Sequence, residues 1–366
     1  MAGSSIGNLF RISTWGESHG PALGVVVDGC PAGLPLSEEM VQAYLDRRKP
    51  GQSSISTPRK EADQVEILSG VFEGKTTGCP ISMVVRNTSQ KSHDYSQIKD
   101  VYRPGHADFT FDSKYGFRDY RGGGRSSGRE TVGRVAAGAV AIELLKQMGI
   151  EICGYTQSIG PVQINRERLD FSLLGKNPTN MPDPVANEQA MEYIGQCQLE
   201  KDSVGGVVCC QVKNVPVGLG DPVFEKLDAN LAKALVSIGA VKAFEIGDGI
   251  QVSMTKGSEN NDPFIKTESG VEKSTNHAGG TLGGISDGDC VEVRVHIKPT
   301  PSIFQPQKTV NRDVEELEIQ IQGRHDPVIV PRAVVVVESM VAITIVDALL
   351  MNMSAKLEKV QAFYNR

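Results

Sequence analysis

The most regular pattern along the chain is a change of hydrophobic period that occurs twice. In VVVDGCPAGLPLSEEMVQAYLDRR a short apolar run reaches a PAGL turn, after which the apolar positions fall three and four apart. That spacing predicts a strand, a turn and an amphipathic helix beginning near Ser37. CCQVKNVPVGLGDPVFEKLDANLAKALVSIGA repeats the order with a PVGL turn, and Pro216 lies 185 positions after Pro31. GVFEGKTTGCPISMVVRNT and GGTLGGISDGDCVEVRVHIKPT each give a Gly-rich turn followed by a strand. The paired segments predict an α+β chain built on a duplicated β-α-β unit. One domain, 1–366, would hold two related halves, about 1–160 and 205–366. The Pro/Asn-rich stretch from about 161 to 205 has no sustained period and reads as an insertion between them. The last 35 residues combine a Val-rich run, AVVVVE, with a long helix through LLMNMSAKLEKVQAF, expected in the core or at a subunit interface.

Composition narrows the function. A chain of 366 residues, 39% of them hydrophobic, can bury a large core. A basic N-terminal stretch leading into an apolar run is absent, and the apolar MVAITIVDALLM is interrupted by Asp347, so neither secretion nor membrane spanning is expected. Seven cysteines without a CxxC spacing suggest neither a disulfide framework nor a metal site, and fit reduced thiols in the cytoplasm. With a formal net charge of -6, broad attraction to nucleic acid is excluded as an expectation. Arginine clusters therefore read as local sites for small anions.

One such cluster is DYRGGGRSSGRET, residues 119–131. Ser127 followed by Glu130 predicts a capping box, and VGRVAAGAVAIELLKQMG continues at helical spacing to Gly149. Unsatisfied amides at the helix start, glycines that let a ligand approach the backbone, and Arg125 and Arg129 together suggest an anion site. An RGG-type RNA contact is the alternative, but such segments are usually repeated and disordered, and this one occurs once before a strong helix.

FRISTWGESHGPALG sets Glu17, Ser18 and His19 in a polar turn between glycines, and DVYRPGHADFTF sets Arg103 and His106 around a Pro-Gly turn. Two histidines in such turns are candidates for general acid–base work, and the like charge of Arg103 would favour neutral His106. LDRRKPGQSSISTPRKEAD concentrates Arg47, Arg48, Lys49, Arg59 and Lys60 in a stretch that Pro50 and Gly51 keep irregular, suggesting phosphate or carboxylate recognition. IQGRHDPVIVPRA packs Arg324, His325 and Asp326 into a turn. NHAGGTLGGISDGD lacks the following helix that a Rossmann site needs, but its loop could line a flat ligand.

Taken in order, GESHGP, LDRRKPGQS, RPGHAD, DYRGGGRSSGRET, NHAGGTLGGIS, KPTPSI and GRHDP resemble the chorismate synthase family, from Gly7 to past Leu350. The resemblance implies an anti-1,4-elimination of phosphate and a ring proton from 5-enolpyruvylshikimate 3-phosphate, giving chorismate, with reduced FMN required although no net redox occurs. It implies a homotetramer of β-α-β sandwich protomers with an internal repeat, and NADPH as a candidate reductant. It assigns His19 to protonation of the departing phosphate, His106 to protonation of the reduced flavin, and Asp326 to assisting ring deprotonation by way of flavin N5. Flavin contacts would fall on Arg125, Ser126, Ser127, Gly239, Ala240, Gly283, Lys298, Pro299, Thr300, Pro301, Ser302 and Arg324. Substrate would meet Ser18, Arg48, Arg103 and Arg129. Two departures stand out: Ser54 occupies the position of a family arginine, for which Arg59 or Lys60 would substitute, and Pro301 replaces a more usual serine. Another flavin-dependent lyase on the same scaffold, or a nucleotide- or RNA-binding protein using RGGGR, are the competing readings.

Overall fold

A computed structural model gives the structure of the chain and describes residues 3–51, 62–87, 99–268, 270–321 and 326–365. Eight α-helices occur among these: α1 Glu38–Arg48, α2 Asp108–Tyr115, α3 Thr131–Lys146, α4 Pro184–Leu199, α5 Leu227–Val236, α6 Gly257–Asn260, α7 Val330–Asn352 and α8 Leu357–Tyr364. Helix α1 starts where the sequence places it. Ser37 has extended backbone angles and accepts the Met40 N–H, a side-chain cap for the first turn.

Two five-stranded antiparallel sheets frame the molecule. The first runs Ser5–Ile6, Arg11–Gly16, Ala22–Asp28, Ile81–Arg86, Val65–Ile67 in space; the second runs Val241–Ile246, Val291–Ile297, Gly206–Lys213, Glu151–Ile159, Val162–Gln163. Helix α3 packs on the first sheet, α7 on the second, and the two helices pack on each other, so a helical layer separates the sheets. Both units follow one chain order: two strands, a helix (α1 or α5), an edge strand, a small hairpin, a strand, then the long helix (α3 or α7).

The correspondence extends to single hydrogen bonds. In the PAGL turn Gly33 N–H donates to Thr76 O (2.8 Å) and Leu34 N–H to Thr76 Oγ1 (3.0 Å), while that hydroxyl donates to Pro31 O (2.6 Å). In the PVGL turn Gly218 donates to Ser286 O (3.0 Å) and Leu219 to Ser286 Oγ (2.8 Å), and the serine donates to Pro216 O (2.6 Å). One hydroxyl thus satisfies two backbone groups in each turn, and the carbonyl of the same residue takes a third.

Three readings of the sequence change. Strand Glu151–Ile159, assigned above to the first half, pairs with Gly206–Lys213, so the second unit begins near 151 and the 161–205 segment lies inside it. That segment is not irregular throughout, because α4 occupies 184–199. Asp183 accepts the Val185 and Ala186 N–H groups at its start and Pro184 supplies a preset φ, a local signal that periodicity missed. Finally, the single long helix expected through LLMNMSAKLEKVQAF is two: α7, which takes in AVVVVE, ends at Asn352, and α8 starts at Leu357. β-Branched residues lose rotamer freedom in helices, but here Val334 to Val337 are buried between the layers, and burial outweighs propensity.

Helix α7 has 23 residues and a mean hydropathy of 2.3 over its most apolar stretch, long and apolar enough to cross a membrane. It serves instead as the central core helix. Asp347, which interrupts its apolar run, is 8% exposed and accepts the N–H groups of Asn8, Leu9 and Phe10, tying the first sheet to the helix end.

Close approach of α3 and α7 depends on the Gly/Ala content of VGRVAAGAVA. A Cβ added to Gly138 would stand 2.2 Å from the Ser339 Cβ. We expect Gly138→Val to destabilise the fold by about 3 kcal/mol, overpacking outweighing the gain from removing a helical glycine. Ser339→Gly in the same chain should restore part of the loss in a thermal unfolding experiment, and failure to do so would mean that the strain lies elsewhere.

Candidate active site

The amino-terminal ends of α3 and α7 meet beside the carboxyl end of α1. Arg48, the last residue of α1, reaches Thr131 Oγ1 (3.5 Å) at the start of α3, and its carbonyl accepts Arg332 Nε (3.0 Å) from the start of α7. Neither long helix has a side-chain cap at its amino terminus. The Thr131 N–H at the start of α3 bonds to Arg129 O and Gly128 O, and Pro331 in the first turn of α7 has no N–H, so what these ends offer an anion is chiefly the positive ends of their dipoles.

A chain of charged contacts runs through this junction. Asp63, from the turn before strand Val65–Ile67, forms a short ion pair with Arg48 and a second with Arg129 Nη1 (2.8 Å), and its side chain is fully buried. Burial acts to raise the Asp63 carboxyl, but the two guanidiniums hold it below its ordinary value. Arg48 is 3% exposed, and burial, with Arg332 nearby, pulls it below the usual arginine value in spite of Asp63. Its Nε has no hydrogen-bond partner among the described residues. A buried cation with a free donor is costly unless a ligand completes it. Arg332 in turn makes a short ion pair with Asp326.

From Arg129 the contacts reach His19. Arg129 Nε donates to Asn87 Oδ1 (2.6 Å), and Asn87 Nδ2 donates to Glu17 O (3.0 Å) and Gly20 O (2.7 Å) of the His19 turn. Ser18 Oγ lies 3.1 Å from His19 Nδ1. The ring rests on Gly122, where an added Cβ would come 2.2 Å from Nδ1, so the first of the three glycines is excluded as a site for any side chain while the histidine stays in place. From Asp326 the contacts reach His106: Thr300 Oγ1 donates to Asp326 O (2.8 Å), and two residues on Ser302 Oγ stands 2.9 Å from His106 Nε2. Lys298 N–H donates to Ala240 O (2.9 Å), its Nζ to Gly105 O (3.0 Å), and Pro301 packs against Gly105.

The opening residues of α3 depart from the predicted capping box. Ser127 accepts the Arg129 N–H (3.3 Å) in a 3-10 turn, Gly128–Glu130, and the α-helix proper starts at Thr131. Glu130 turns away from Ser127 to accept Thr14 Oγ1 (3.0 Å) and Arg134 Nε (2.8 Å). Arg134 extends this link to Ser237 Oγ (2.6 Å), two residues before Gly239. At Gly128 and Gly239 an added Cβ would meet open space, so both backbones face room for a ligand.

Three expectations about arginines change. Arg125 donates to Thr14 Oγ1 (2.6 Å), Thr14 O (3.2 Å) and Gly16 O (3.1 Å), so its guanidinium staples the loop to the first sheet rather than standing free for an anion. Arg103 is 7% exposed and bidentate to Asp108 (2.7 and 2.8 Å). Its charge is matched there, so it anchors the His106 turn and does not act on the imidazole as a bare like charge. Arg47 and Arg48 belong to α1, not to an irregular stretch. Gly283 sits at an exposed hairpin tip between Thr281–Leu282 and Ile285–Ser286, and no hydrogen bond among the described residues joins it to the cluster. Pro299 lies on the same strand end as Lys298. Ser54, Arg59, Lys60, Arg324 and His325 lie outside the described residues. Sequence reasoning missed Asp63, Asn87 and Arg332, whose types and spacing carry no local signal.

A cavity of about 450 Å³ between Ser5–Arg11, the 218–233 segment and the end of α7 contains none of the predicted site residues. The histidines and the cations lie at the opposite, amino-terminal end of α7.

Fold and site together define a protein that links cations and two loop histidines to the amino-terminal ends of two long helices, between two similar sheet-and-helix units. Comparison with known proteins agrees. The chorismate synthase family model matches residues 10–350. A chorismate synthase of Agathobacter rectalis is 63% identical over the whole of both chains, one of Chloroflexus aggregans 54% identical over 96% of each, and one of Methanosarcina mazei 54% identical over 96% of this chain and 97% of its own. A crystal structure of chorismate synthase superposes with a TM-score of 0.77 at 33% identity, covering 98% of this chain and 97% of its own. The chain belongs to the chorismate synthase family. It is a carbon–oxygen lyase acting on phosphates, at the last common step of aromatic amino-acid biosynthesis, in a family that depends on flavin.

Asp63 is the test of the electrostatic arrangement. Its folded pKa lies below its unfolded one, near 3.9, so its contribution to stability is present above that value and lost as pH falls through the folded pKa. Asn fits the left-handed backbone at this position (φ 47°). We expect Asp63→Asn to lose about 3–5 kcal/mol at neutral pH, because the buried cation of Arg48 loses its carboxylate, and to show a shallower acid limb than wild type between pH 5 and 2. Parallel acid limbs in denaturant unfolding would show that Asp63 is not ionised between the arginines.

Proposed function

We propose that the junction of α1, α3 and α7 is where 5-enolpyruvylshikimate 3-phosphate loses its phosphate and a ring proton, with reduced FMN bound alongside. The observation that carries this reading is the series of contacts from the His19 turn through Asn87, Arg129, Asp63, Arg48, Arg332 and Asp326 to Thr300, two residues before the Ser302 that meets His106. It joins groups from both units into one site.

The substrate carries a phosphate and two carboxylates, and Arg48 Nε, which has no hydrogen-bond partner among the described residues, the Arg129 guanidinium and the positive ends of two helix dipoles suit such a polyanion. A phosphate departing from an allylic carbon needs its growing charge met by a proton and fixed cations. His19 supplies the proton, with Ser18 and Gly122 fixing its ring and Arg129 held close by through Asn87. Asp326, kept oriented by Arg332, is the carboxylate that assists removal of the ring proton. Arg103 acts as the anchor of the His106 turn rather than by touching substrate.

The donor set fits a flavin. Open backbone at Gly128 and Gly239, the flat proline surfaces of Pro299 and Pro301, Lys298, and the hydroxyls of Ser126, Ser127, Thr300 and Ser302 suit a planar ring bearing carbonyl acceptors and a phosphate tail. Ala240 with its left-handed backbone (φ 74°), Gly283 and Arg324 complete the residues we assign to it. Bound reduced FMN supplies electron density to the electron-poor carbon skeleton and recovers it, which is why a redox cofactor serves a redox-neutral elimination. His106, whose Nε2 stands 2.9 Å from Ser302 Oγ, is the group we assign to proton transfer with the reduced flavin.

We also read the matching unit order and turn chemistry as an internal duplication within a β-α-β sandwich, a single domain with units of about 11–146 and 151–352. A homotetramer and a cytoplasmic location are part of this reading; seven unpaired cysteines support the latter.

Anaerobic incubation with the substrate and chemically reduced FMN should release phosphate and chorismate in equal amounts, and an absence of phosphate release would overturn the reading. Replacing the chemical reductant with NADPH tests whether the chain reduces its own flavin. His106→Ala should lower kcat about 10²- to 10⁴-fold with KM little changed; near-normal turnover would remove His106 from the chemistry.

A further inference from the structure

We propose that Asn87 is a positioning residue for this reaction: its side-chain amide fixes the loop that carries His19 against the guanidinium of Arg129, so that the proton donor and the cation awaiting the departing phosphate keep one separation. The inference rests on the reading of His19 as the acid for the leaving group.

Asn87 follows strand Ile81–Arg86, and its backbone N–H donates to Pro21 O (3.0 Å), which sets its height beside the loop. Nδ2 donates to Glu17 O (3.0 Å) and Gly20 O (2.7 Å), with a longer approach to Ser18 O (3.5 Å). Those carbonyls bracket His19. Oδ1 accepts Arg129 Nε at 2.6 Å. The amide orientation follows from its neighbours, because carbonyls only accept and a guanidinium only donates. A flipped amide would set oxygen against three oxygens and nitrogen against nitrogen.

Among the described residues, other ties hold His19 or Arg129 separately. Ser18 and Gly122 fix the imidazole within its own turn and against the glycine loop, and Asp63 fixes the far side of Arg129 (2.8 Å). Asn87 is bonded to both partners at once. Few side chains can replace it. Aspartate is isosteric and keeps the acceptor for Arg129, but it turns an anionic oxygen toward three carbonyls; alanine loses both ends. Since a misplacement of about 1 Å can cost on the order of 10²-fold in rate, loosening this loop should appear in turnover.

The test is a double-mutant cycle with the full-length enzyme, substrate and chemically reduced FMN under anaerobic conditions, with rates expressed per folded protein from the amplitude of thermal unfolding. Asn87→Ala should lower kcat about 10- to 100-fold in the wild-type background and by less than about 2-fold in His19→Ala, because the residue acts through His19. Asn87→Asp, which preserves shape, should lower kcat to a similar degree while its KM stays closer to wild type than that of Asn87→Ala. An equal loss from Asn87→Ala in both backgrounds, or full kcat in Asn87→Asp, would overturn the proposal while leaving the role of His19 intact. Unchanged kcat in His19→Ala alone would instead remove the reading of His19, and this inference with it.

Discussion

The structure depends on one buried carboxylate placed between two guanidiniums. Asp63 lets Arg48 and Arg129 share a water-poor junction that would otherwise expel them, since an isolated buried cation costs several kcal/mol. Among the described residues the arrangement leaves cationic character in surplus: three arginines, Arg48, Arg129 and Arg332, face two acids, Asp63 and Asp326. A polyanionic substrate is the natural complement to that surplus. The cations are held in place before substrate arrives, so little reorganisation remains at the moment the phosphate departs.

Packing makes this junction possible. Small residues along α3 allow α7 to approach closely, with Gly138 against Ser339, and the contact brings the first turns of both helices to the end of α1. Core and site are thus parts of one arrangement: the α3–α7 contact that excludes water from the middle of the molecule also aims two helix amino termini at the same place. At the other end of α7, Asp347 satisfies three consecutive backbone amides near the chain start, so both ends of the long helix are tied to the first sheet's unit.

Several arginines singled out for ligand binding are occupied by protein. Arg125 braces the glycine loop on strand Arg11–Gly16, and Arg103 closes the turn of His106 onto Asp108, whose carboxyl burial would raise but whose arginine partners hold below its ordinary value. Such residues shape the site without pointing into it. A count of cationic side chains near a motif therefore overstates the charge offered to substrate, because an arginine's five donors are as easily spent on carbonyls and carboxylates of its own chain.

Local order was legible in the sequence wherever it depends on neighbours along the chain. The Ser37 cap, the two Pro-x-Gly-Leu turns and the strands beside them follow from period and turn chemistry, and the motif series carried the family and its histidines. Asp183–Pro184 was an equally local helix signal that a search for periodicity passed over. The Val-rich run was not legible, because propensity spoke against a helix and only burial on both faces of α7 decides for one. The pairing of Glu151–Ile159 with Gly206–Lys213 spans a long segment and follows from neither strand alone. Asp63, Asn87 and Arg332 carry no motif; they became functional when strand order brought them within hydrogen-bond reach of Arg129, the His19 turn and Asp326. The sequence determined which chemical groups are present and the turns that display them. Tertiary structure decided which charges neutralise one another and which are left for a ligand, since that depends on distances and desolvation set by packing between remote segments.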